Sequence, residues 1–287
     1  ADALPSDWGE PLWIENPDQS TNPAKYLLLK DIKAAADDLS ANGTSSTYYS
    51  MYKSMLDSQV TNNGNAGRGP YFQLKVGNAY IDLQLIGICQ DTKSAGGKAG
   101  LTFQTRDIYA YGSIKSIAAG GGAFSTYMNF TNTNVGGWAS SAMHSTLIST
   151  FWSTLPVETQ AAIVGVDKHQ QLPSGTTASY LQKTTGETVW LPSVREVFGA
   201  AFADYNESEA LTTVAGYVPF QYMAYQPGGT STPNTRAIKT YNGSACIWWL
   251  RSACRYNTNL FCLVHSNGDR NNITANSTIG AAPCFCL

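Results

Sequence analysis

Hydrophobic residues in the first part of the chain recur at the spacing of amphipathic helices. A first helix is predicted to open at Asn22-Pro23, where Asn is a capping residue and Pro suits the first turn, and to end at Asn42-Gly43. A second helix is predicted to stop near Thr61. The apolar positions that support the two helices are Leu28, Ile32, Ala35, Leu39, Tyr48, Tyr52, Met55 and Leu56. Residues 1–65 are therefore expected to form an N-terminal helical segment, either as an extension or as part of one domain.

After Pro70 apolar and polar positions alternate, which is typical of β-strands. "YFQLKVGNAYIDLQLIGIC" predicts a hairpin around Gly77-Asn78, and "AGLTFQTRDIYA" predicts a further strand. "CIWWLRS", "NLFCLVHSNGD" and "APCFCL" predict strands at the C-terminal end, with a turn at Ser266-Asn267-Gly268. Residues 66–287 are expected to form the main domain.

The middle of the chain combines helices with glycine- and asparagine-rich loops. "WASSAMHSTLISTFWSTL" predicts a helix, and a shorter one is predicted from Pro156 to Val164 with Thr154 as its cap. Trp190 and Leu191 are placed at a strand end, and the segment from Ser193 to Glu196 reads as a capping box that starts another helix. "AAGGGAFSTYMNFTNTNVGG" and most of residues 205–245 have the composition of loops. Because helices and strands occur in separate runs, the predicted fold class is α+β.

Composition limits the classes of partner. Apolar residues are 43% and aromatic residues 11% of the chain, which indicates an ordered globular protein. Charged residues are only 13%, the formal net charge is −2, and the basic residues are dispersed, so we expect no nucleic-acid partner. No apolar run reaches the roughly 18 residues of a membrane span, so no membrane insertion is expected. Low charge with many Gly, Ser, Thr, Asn and Tyr residues is typical of proteins displayed on a cell or a virion.

The sequence offers no catalytic or metal-binding constellation. The three histidines lie far apart, no Gly-x-Ser-x-Gly motif occurs, and "AAGGGAF" lacks the Lys of a phosphate-binding loop. Five of the six cysteines follow residue 245, but the chain is large for a scaffold that depends on disulfides, so buried thiols are favoured over disulfides. No Cys-x-x-Cys pair occurs, so a metal site is the least favoured of the three. We therefore predict a protein that is not an enzyme and has no cofactor or metal.

The last 36 residues have an unusual composition. From Ser252 to Leu287 there is no Lys, Gln, Glu, Met or Trp, whereas the preceding 251 residues contain 42 residues of these five types. At that frequency about six are expected in the tail. These five are the residue types that an AAC or AAT codon cannot reach when its two adenines are replaced. An Asn/Ser/Thr-rich loop with ordinary sequence drift is the alternative explanation.

Residues 246–287, "CIWWLRSACRYNTNLFCLVHSNGDRNNITANSTIGAAPCFCL", resemble the C-terminal variable region of proteins diversified by retroelements, in which a reverse transcriptase introduces adenine-specific changes. "GGWASSAMHSTLISTFWSTLPVETQAAIVGVDK" and "VWLPSVREVFG" resemble a lectin-fold subfamily common in phage and gut-bacterial genomes. The family often has Arg at the position of His144, and a "VRP" or "VAP" motif where this chain has "AAP". The resemblance covers roughly residues 70–287. It implies a C-type-lectin-like fold, related to that of formylglycine-generating enzymes, with a variable region at about 252–282.

A surface that accepts many sequences must point away from the core, because core substitutions commonly cost about 2–5 kcal/mol. The resemblance and the codon argument together predict sixteen ligand-contact residues in the tail. They are Cys254, Arg255, Tyr256, Asn257, Asn259, Leu260, Leu263, His265, Asp269, Arg270, Asn271, Asn272, Ile273, Asn276, Ser277 and Ile279. Residues expected to fix the backbone are Trp248, Trp249, Arg251, Phe261, Cys262, Val264 and Gly268.

The predicted function is non-covalent recognition of a protein or glycan, of the receptor-binding or adhesin type, on a virion or cell surface. An oligomer would add avidity. Two alternatives on the same fold are an oxidase of the formylglycine-generating kind, which would need a reactive cysteine pair, and a non-diversified carbohydrate-binding module. Calcium-mediated sugar binding is disfavoured, because the chain has "QPG" at Gln226 and no Trp-Asn-Asp motif.

Overall fold

The computed structural model describes residues 10–15, 26–61, 72–111, 126–173, 181–199, 220–221 and 234–287. The described residues form strands β1 (Leu12–Glu15), β2 (Tyr26–Leu28), β3 (Phe72–Val76), β4 (Ala79–Ile88), β5 (Leu101–Thr105), β6 (Val166–Gln171), β7 (Leu181–Glu187), β8 (Lys239–Tyr241), β9 (Ser244–Cys246), β10 (Trp248–Ala253), β11 (Leu260–Val264), β12 (Arg270–Thr274) and β13 (Cys284–Cys286). The helices are α1 (Leu29–Asn42), α2 (Tyr49–Thr61), α3 (Ala142–Thr146), α4 (Val157–Ala162) and α5 (Val194–Phe198). A π-helical segment, Leu147–Trp152, continues α3. The fold class is mixed α+β, as the sequence predicted.

A six-stranded antiparallel sheet joins the two ends of the described chain. Its strand order is β13-β5-β4-β3-β1-β2, so the last strand of the chain lies beside β5 and the first strands form the opposite edge. The predicted hairpin around Gly77-Asn78 is confirmed as the β3–β4 connection. Gly77 has a φ of 58°, a conformation that glycine adopts without strain. The remaining strands form a three-stranded sheet, β10-β11-β12, and two hairpins, β6-β7 and β8-β9.

The two N-terminal helices contribute their apolar faces to the same core as the large sheet. Ile32 and Leu39 of α1 and Leu56 of α2 are completely buried, and each such side chain contributes about 1.5–3 kcal/mol. A Cβ on Gly100, just before β5, would lie 2.0 Å from the carbonyl oxygen of Ala36, so glycine is required for this close approach. The Gln59 amide exchanges two hydrogen bonds with the backbone of Leu85, which fixes α2 against β4.

One predicted helix start and one predicted helix cap were wrong. Helix α1 begins at Leu29, because Tyr26–Leu28 is extended and pairs with β1; Asn22-Pro23 lies outside the described residues. Helix α4 begins at Val157 after Pro156, and Thr154 does not cap it, since the Thr154 hydroxyl donates to the carbonyl of Phe151 in the preceding helix.

The capping box of α5 is confirmed. The side chain of Ser193 accepts from the backbone of Glu196, and the Glu196 carboxylate accepts from the backbone of Ser193. Trp190 is not at the end of a regular strand, because β7 ends at Glu187 and Trp190 forms an isolated bridge to Cys284.

The three-stranded sheet carries the tail of the chain. Strands β10 and β11 and the turn after β11 were predicted, whereas β12 was not. The indole of Trp249 donates to the carbonyl oxygen of Thr126 at 2.6 Å, and that of Trp248 donates to Ala237 at 2.9 Å. Both indoles are completely buried, so they attach this sheet to the rest of the core.

A buried cluster of four charged residues connects β10 to three other parts of the fold. Lys168 of β6 forms ion pairs with Asp91, which precedes β5, and with Glu196 of α5, while Arg251 of β10 also pairs with Glu196. The Lys168 ammonium lies 4.1 Å from the centre of the Trp190 ring. Burial alone would raise the pKa of Glu196, but the charges of Arg251 and Lys168 lower it to about 2. The two positive and two negative charges balance within the core.

Candidate functional site

Most of the predicted contact residues lie at the accessible margin of the three-stranded sheet. Three of the sixteen are buried, and the other thirteen are half-buried or exposed. These thirteen, which we call the tail surface, are Arg255, Tyr256, Asn257, Asn259, Leu260, His265, Asp269, Arg270, Asn271, Asn272, Ile273, Asn276 and Ser277. They occupy the turn between β10 and β11, the first residue of β11, the turn between β11 and β12, the edge strand β12 and the turn that follows it.

Three predicted contact residues do not belong to this surface. Leu263 is 2% exposed, because it lies on the central strand β11 opposite Trp249 and both faces of that strand are covered. Cys254 is buried with its sulphur 4.0 Å from that of Cys262. Ile279 is buried beside Gly280, which packs closely against Ile108. The prediction that these three side chains face solvent is therefore wrong.

Asn134 holds the turn between β10 and β11 by hydrogen bonds to the backbone of that turn. Its side-chain amide is completely buried and donates to the carbonyl oxygens of Cys254, Asn257 and Leu260 at 3.3, 2.8 and 2.8 Å. Its backbone N–H donates to the carbonyl oxygen of Thr258 at 2.8 Å. One asparagine thus lies within hydrogen-bond distance of four backbone carbonyls of a turn whose side chains at 256–258 are exposed.

Asn129 supports the neighbouring turn after β12. Its backbone N–H donates to the carbonyl oxygen of Ala275 at 2.9 Å, and Ala275 in turn donates to the carbonyl oxygen of Asn259. The Asn129 side chain is held by the backbone of Ala142 and Thr133. The loop 126–137 therefore passes beside both turns and holds their backbones independently of the side chains that they display.

The same loop adds apolar surface next to the tail. Phe130 is 79% exposed and Val135 is 63% exposed, and each directly follows an asparagine that is bonded to the tail. Tyr256 on the adjoining turn is 60% exposed, and its ring centre lies 5.1 Å from the guanidinium carbon of Arg255. Three large apolar side chains are therefore exposed on segments whose backbones are hydrogen-bonded to one another.

The turn between β11 and β12 lies at the other end of the strands. The five residues of β11 separate His265 and Asp269 from the 255–259 turn by about 16 Å. A Cβ on Gly268 would lie 2.5 Å from the carbonyl oxygen of Asn234, and Gly268 also has a φ of 88°, so glycine is required there. The tail surface is thus an elongated band along β12 and not one compact patch.

The predicted scaffold residues all lie inside the protein: Trp248, Trp249, Arg251, Phe261, Cys262, Val264 and Gly268. Arg251 has the most extensive contacts of this set. Besides its pair with Glu196, it donates to the carbonyl oxygens of Leu191 and His169 at 2.7 and 2.9 Å and to the side chain of Gln170. The guanidinium therefore satisfies four acceptors in the core beneath the tail.

Asn134 and Asn129 were not singled out in the sequence. They belong to an asparagine-rich segment whose composition predicts a loop, and composition does not distinguish an asparagine that holds a distant turn from one that faces solvent. Within the described ranges, no group of three or more His, Cys, Asp or Glu residues is placed to hold a metal ion. Across the same part of the chain, no helix has the length and apolar character needed to cross a membrane.

Comparison with known proteins gives one match. Residues 102–287, more than half of the chain, match the family described as a domain of unknown function, DUF6273. The matched region contains the charge cluster residues Lys168, Glu196 and Arg251, the loop 126–137 and the whole tail. No curated protein and no solved structure matches the chain. The chain belongs to the DUF6273 family.

Proposed function

We propose that this protein binds a ligand non-covalently through the tail surface and the adjoining loop 126–137, and that adenine-directed mutagenesis from a retroelement diversifies the tail. The observation that carries the proposal is the separation of roles in the tail. Thirteen predicted contact residues are accessible, while the backbone beneath them is fixed by buried groups such as Asn134 and the indole of Trp249. Exchange of the accessible side chains leaves those supports in place.

A protein ligand is favoured by the apolar part of the surface. Phe130, Val135 and Tyr256 offer exposed apolar area, and Tyr256 lies against Arg255, a combination common among residues that dominate binding energy at interfaces. The neighbouring asparagines donate and accept hydrogen bonds, as the polar residues of antibody binding loops do. Display on a virion or cell surface is the proposed location for such a protein.

A C-type-lectin-like arrangement is the proposed identity of the α+β fold. It is supported by a last strand that returns to the main sheet beside β5, and by a three-stranded sheet that holds the tail. The order of the "WWLRS" strand, the displayed turns and the closing "CFC" strand agrees with the resemblance seen in the sequence.

Sequencing the DNA beside this gene tests diversification. We expect a reverse transcriptase gene and a near-copy of the 3′ end of this gene. The two copies should differ at adenines, and the differences should fall mainly in codons of the thirteen accessible residues. A genomic neighbourhood with neither element, or differences spread evenly over codons for buried residues such as Phe261 and Val264, would contradict the proposal.

Binding to intact bacterial cells tests recognition. Fluorescently labelled protein is compared with the double variant Arg255→Ala, Tyr256→Ala and with the control Glu158→Ala, which changes an exposed residue of α4. We expect the double variant to bind at least about tenfold more weakly and the control to bind normally. Loss of binding after treating the cells with protease indicates a protein ligand, whereas loss after periodate indicates a glycan. Equal binding by all three proteins would contradict the proposed surface.

A further inference from the structure

We infer that Cys254 and Cys262 form a disulfide when the protein is in an oxidising environment, and that this bridge closes the turn carrying Arg255, Tyr256, Asn257 and Asn259. The starting observation is the separation of the two sulphur atoms, 4.0 Å, in a structure in which all six cysteines are thiols. This inference concerns the covalent state of the tail and does not depend on what the tail binds.

The strand pairing places the two side chains on one face of the sheet. Ala253 lies opposite Phe261, and the backbone N–H of Cys254 donates to the carbonyl oxygen of Leu260. Cys262 follows Leu260 by two residues and therefore points to the same face as Leu260. Cys254 and Cys262 are thus diagonal neighbours across two antiparallel strands, and the 4.0 Å between their sulphurs shows that the two side chains face each other.

The bond requires a limited movement. A disulfide has a sulphur–sulphur distance of about 2.05 Å, so the two sulphurs must approach by about 2 Å. The register of β10 against β11 shifts between Trp249 and Ala253, and this irregularity lies next to Cys254. This end of β10 therefore lacks a continuous ladder to β11, and the approach requires a shift of Cys254 against its hydrogen bonds to Leu260 and Asn134.

The other cysteines are less suited to a bridge. Cys284 and Cys286 lie two residues apart on one strand, which is a poor geometry for a bridge between them. Cys89 bonds to the carbonyl of Leu39. The pair at 254 and 262 also spans a short turn whose side chains at 256–258 are exposed, and opening of that turn gives an oxidant access to the buried thiols.

The chemistry needs a small-molecule disulfide such as oxidised glutathione. The thiolate of one cysteine attacks the glutathione disulfide and releases one glutathione thiol. The thiolate of the second cysteine then attacks the mixed disulfide and releases the other. Two protein thiols are oxidised, two electrons pass to glutathione, and two protons leave the cysteines. In a surface-displayed protein, the bridge would hold the base of the turn as a covalent complement to the hydrogen bonds of Asn134.

Peptide mapping after equilibration with oxidised glutathione tests this inference. Trypsin cleaves after Arg251, Arg255 and Arg270, so it places the two cysteines on separate peptides, Ser252–Arg255 and Tyr256–Arg270. We expect these two peptides to be recovered as one disulfide-linked species, lighter than their sum by two hydrogen atoms. Reduction should separate them. The variant Cys254→Ser should lose the linked species, while Cys246→Ser should keep it.

Three results of the peptide mapping would contradict the proposed disulfide. Full alkylation of both cysteines after oxidation, glutathione adducts without a linked pair, or a bridge to any other cysteine would overturn the inference. Hydrogen exchange gives a second measurement on the intact protein. Amides of residues 255–260 should exchange several-fold more slowly in the oxidised form than in the reduced form, and equal rates would contradict the proposed restraint. A failure here leaves the ligand-binding proposal untouched, because that proposal is tested by cell binding and by gene sequence.

Discussion

Asn134 shows how a single residue can separate the shape of a surface from its sequence. Its buried amide donates to carbonyl oxygens at the beginning, middle and end of the 254–260 turn. Since the acceptors belong to the backbone, their positions do not depend on which side chains the turn carries. A turn held in this way tolerates exchange of its exposed residues while it keeps its conformation.

Replacing Asn134 with Ala should leave these carbonyls without their buried donor. We expect the free energy of unfolding to fall by about 1–3 kcal/mol and the amides of residues 254–260 to exchange faster with solvent. Hydrogen exchange with mass spectrometry measures the second effect directly. Asn276→Ala, which alters an exposed asparagine of the tail surface, is the control and should change stability by less than about 0.5 kcal/mol. If the amides of residues 254–260 exchange at the same rate in Asn134→Ala as in the wild type, the Asn134 side chain does not hold this turn.

Lys239 makes stability depend on pH in the alkaline range. Burial lowers the pKa of Lys239 to about 8, although nearby Asp107 partly opposes the shift. Its ammonium donates to the carbonyl oxygens of Thr105 and Arg106 at 2.6 and 3.0 Å and to the side chain of Gln84. Between pH 8 and the ordinary lysine value of 10.5, the unfolded chain binds more protons than the folded chain. The contribution of Lys239 to the free energy of unfolding therefore rises with pH between pH 8 and pH 10.5.

The variant Lys239→Met removes the titrating group and isolates its effect. The measured quantity is the unfolding free energy of the wild type minus that of the variant. We expect this difference to increase by about 3 kcal/mol between pH 8 and pH 10.5. Urea denaturation at several pH values measures it. A difference that stays constant across the window would mean that Lys239 has an ordinary pKa in the folded protein.

At the residue scale, the codon argument identified positions by their residue types and not by their environments. Arg255, Tyr256 and Asn257 lie on a turn, where residue type and exposure agree. Leu263 and Ile279 were included although both are apolar, and the structure buries them. Composition cannot reveal that residues 261–264 of β11 are all buried, because that burial depends on the elements that pack around the strand.

At the element scale, β12 is the strand of the tail that the sequence failed to predict; β1, β2, β6, β7, β8 and β9 were not predicted either. "RNNIT" has no regular alternation and has the composition of a loop. It is a strand because it pairs with all five residues of β11, from Leu260 opposite Thr274 to Val264 opposite Arg270. Long helices and alternating strands could be predicted from local pattern, whereas this edge strand is defined by its partner.

The register pair Leu263 and Asn271 provides a matched comparison of the two strands. The residues lie opposite each other, but Leu263 is buried and Asn271 is exposed. We expect Leu263→Asn to lower the free energy of unfolding by about 2–5 kcal/mol, because it removes buried apolar area and introduces a buried amide. Asn271→Leu should change it by less than about 1 kcal/mol. Chemical denaturation measures both, and similar losses in the two variants would contradict the division between support and surface.

At the scale of the whole molecule, the buried charge cluster holds together parts of the chain that are far apart in sequence. Asp91, Lys168, Glu196 and Arg251 come from a loop, a hairpin, a helix and the sheet that carries the tail. Removing one member leaves a buried charge without compensation, which commonly costs about 3–5 kcal/mol. The cluster therefore fixes the position of β10, and through it that of the tail.

Acid titration tests the contribution of the cluster. The pKa of Glu196 is about 2 in the folded protein and near 4.5 when unfolded, so its contribution is complete above pH 4.5 and is lost as the pH falls towards 2. We expect this loss to reach about 3 kcal/mol in the wild type and to be absent in Glu196→Gln, which starts from a lower stability. Parallel acid profiles for the two proteins would contradict the assignment.

The overall class could be predicted from the sequence, but the joining of its ends could not. Separate runs of helix and strand indicated α+β, and that class is confirmed. The pairing of β13 with β5 and of β1 with β3 links residues that are far apart in the chain. The local sequence of a strand indicates that the segment is extended, but it does not specify which other strand pairs with it.

The most direct test of the central claim is the stability of a chain in which five accessible tail residues are exchanged together. Arg255, Tyr256, Asn257, Asn271 and Asn276 are replaced by Ser, His, Asp, Tyr and Thr, and unfolding is measured by urea denaturation. We expect one cooperative transition, with an unfolding free energy within about 2.5 kcal/mol of the wild type, because each of the five substitutions contributes less than about 0.5 kcal/mol. A loss well beyond that, or a transition that is no longer cooperative, would show that these side chains support the fold and cannot serve as an exchangeable binding surface.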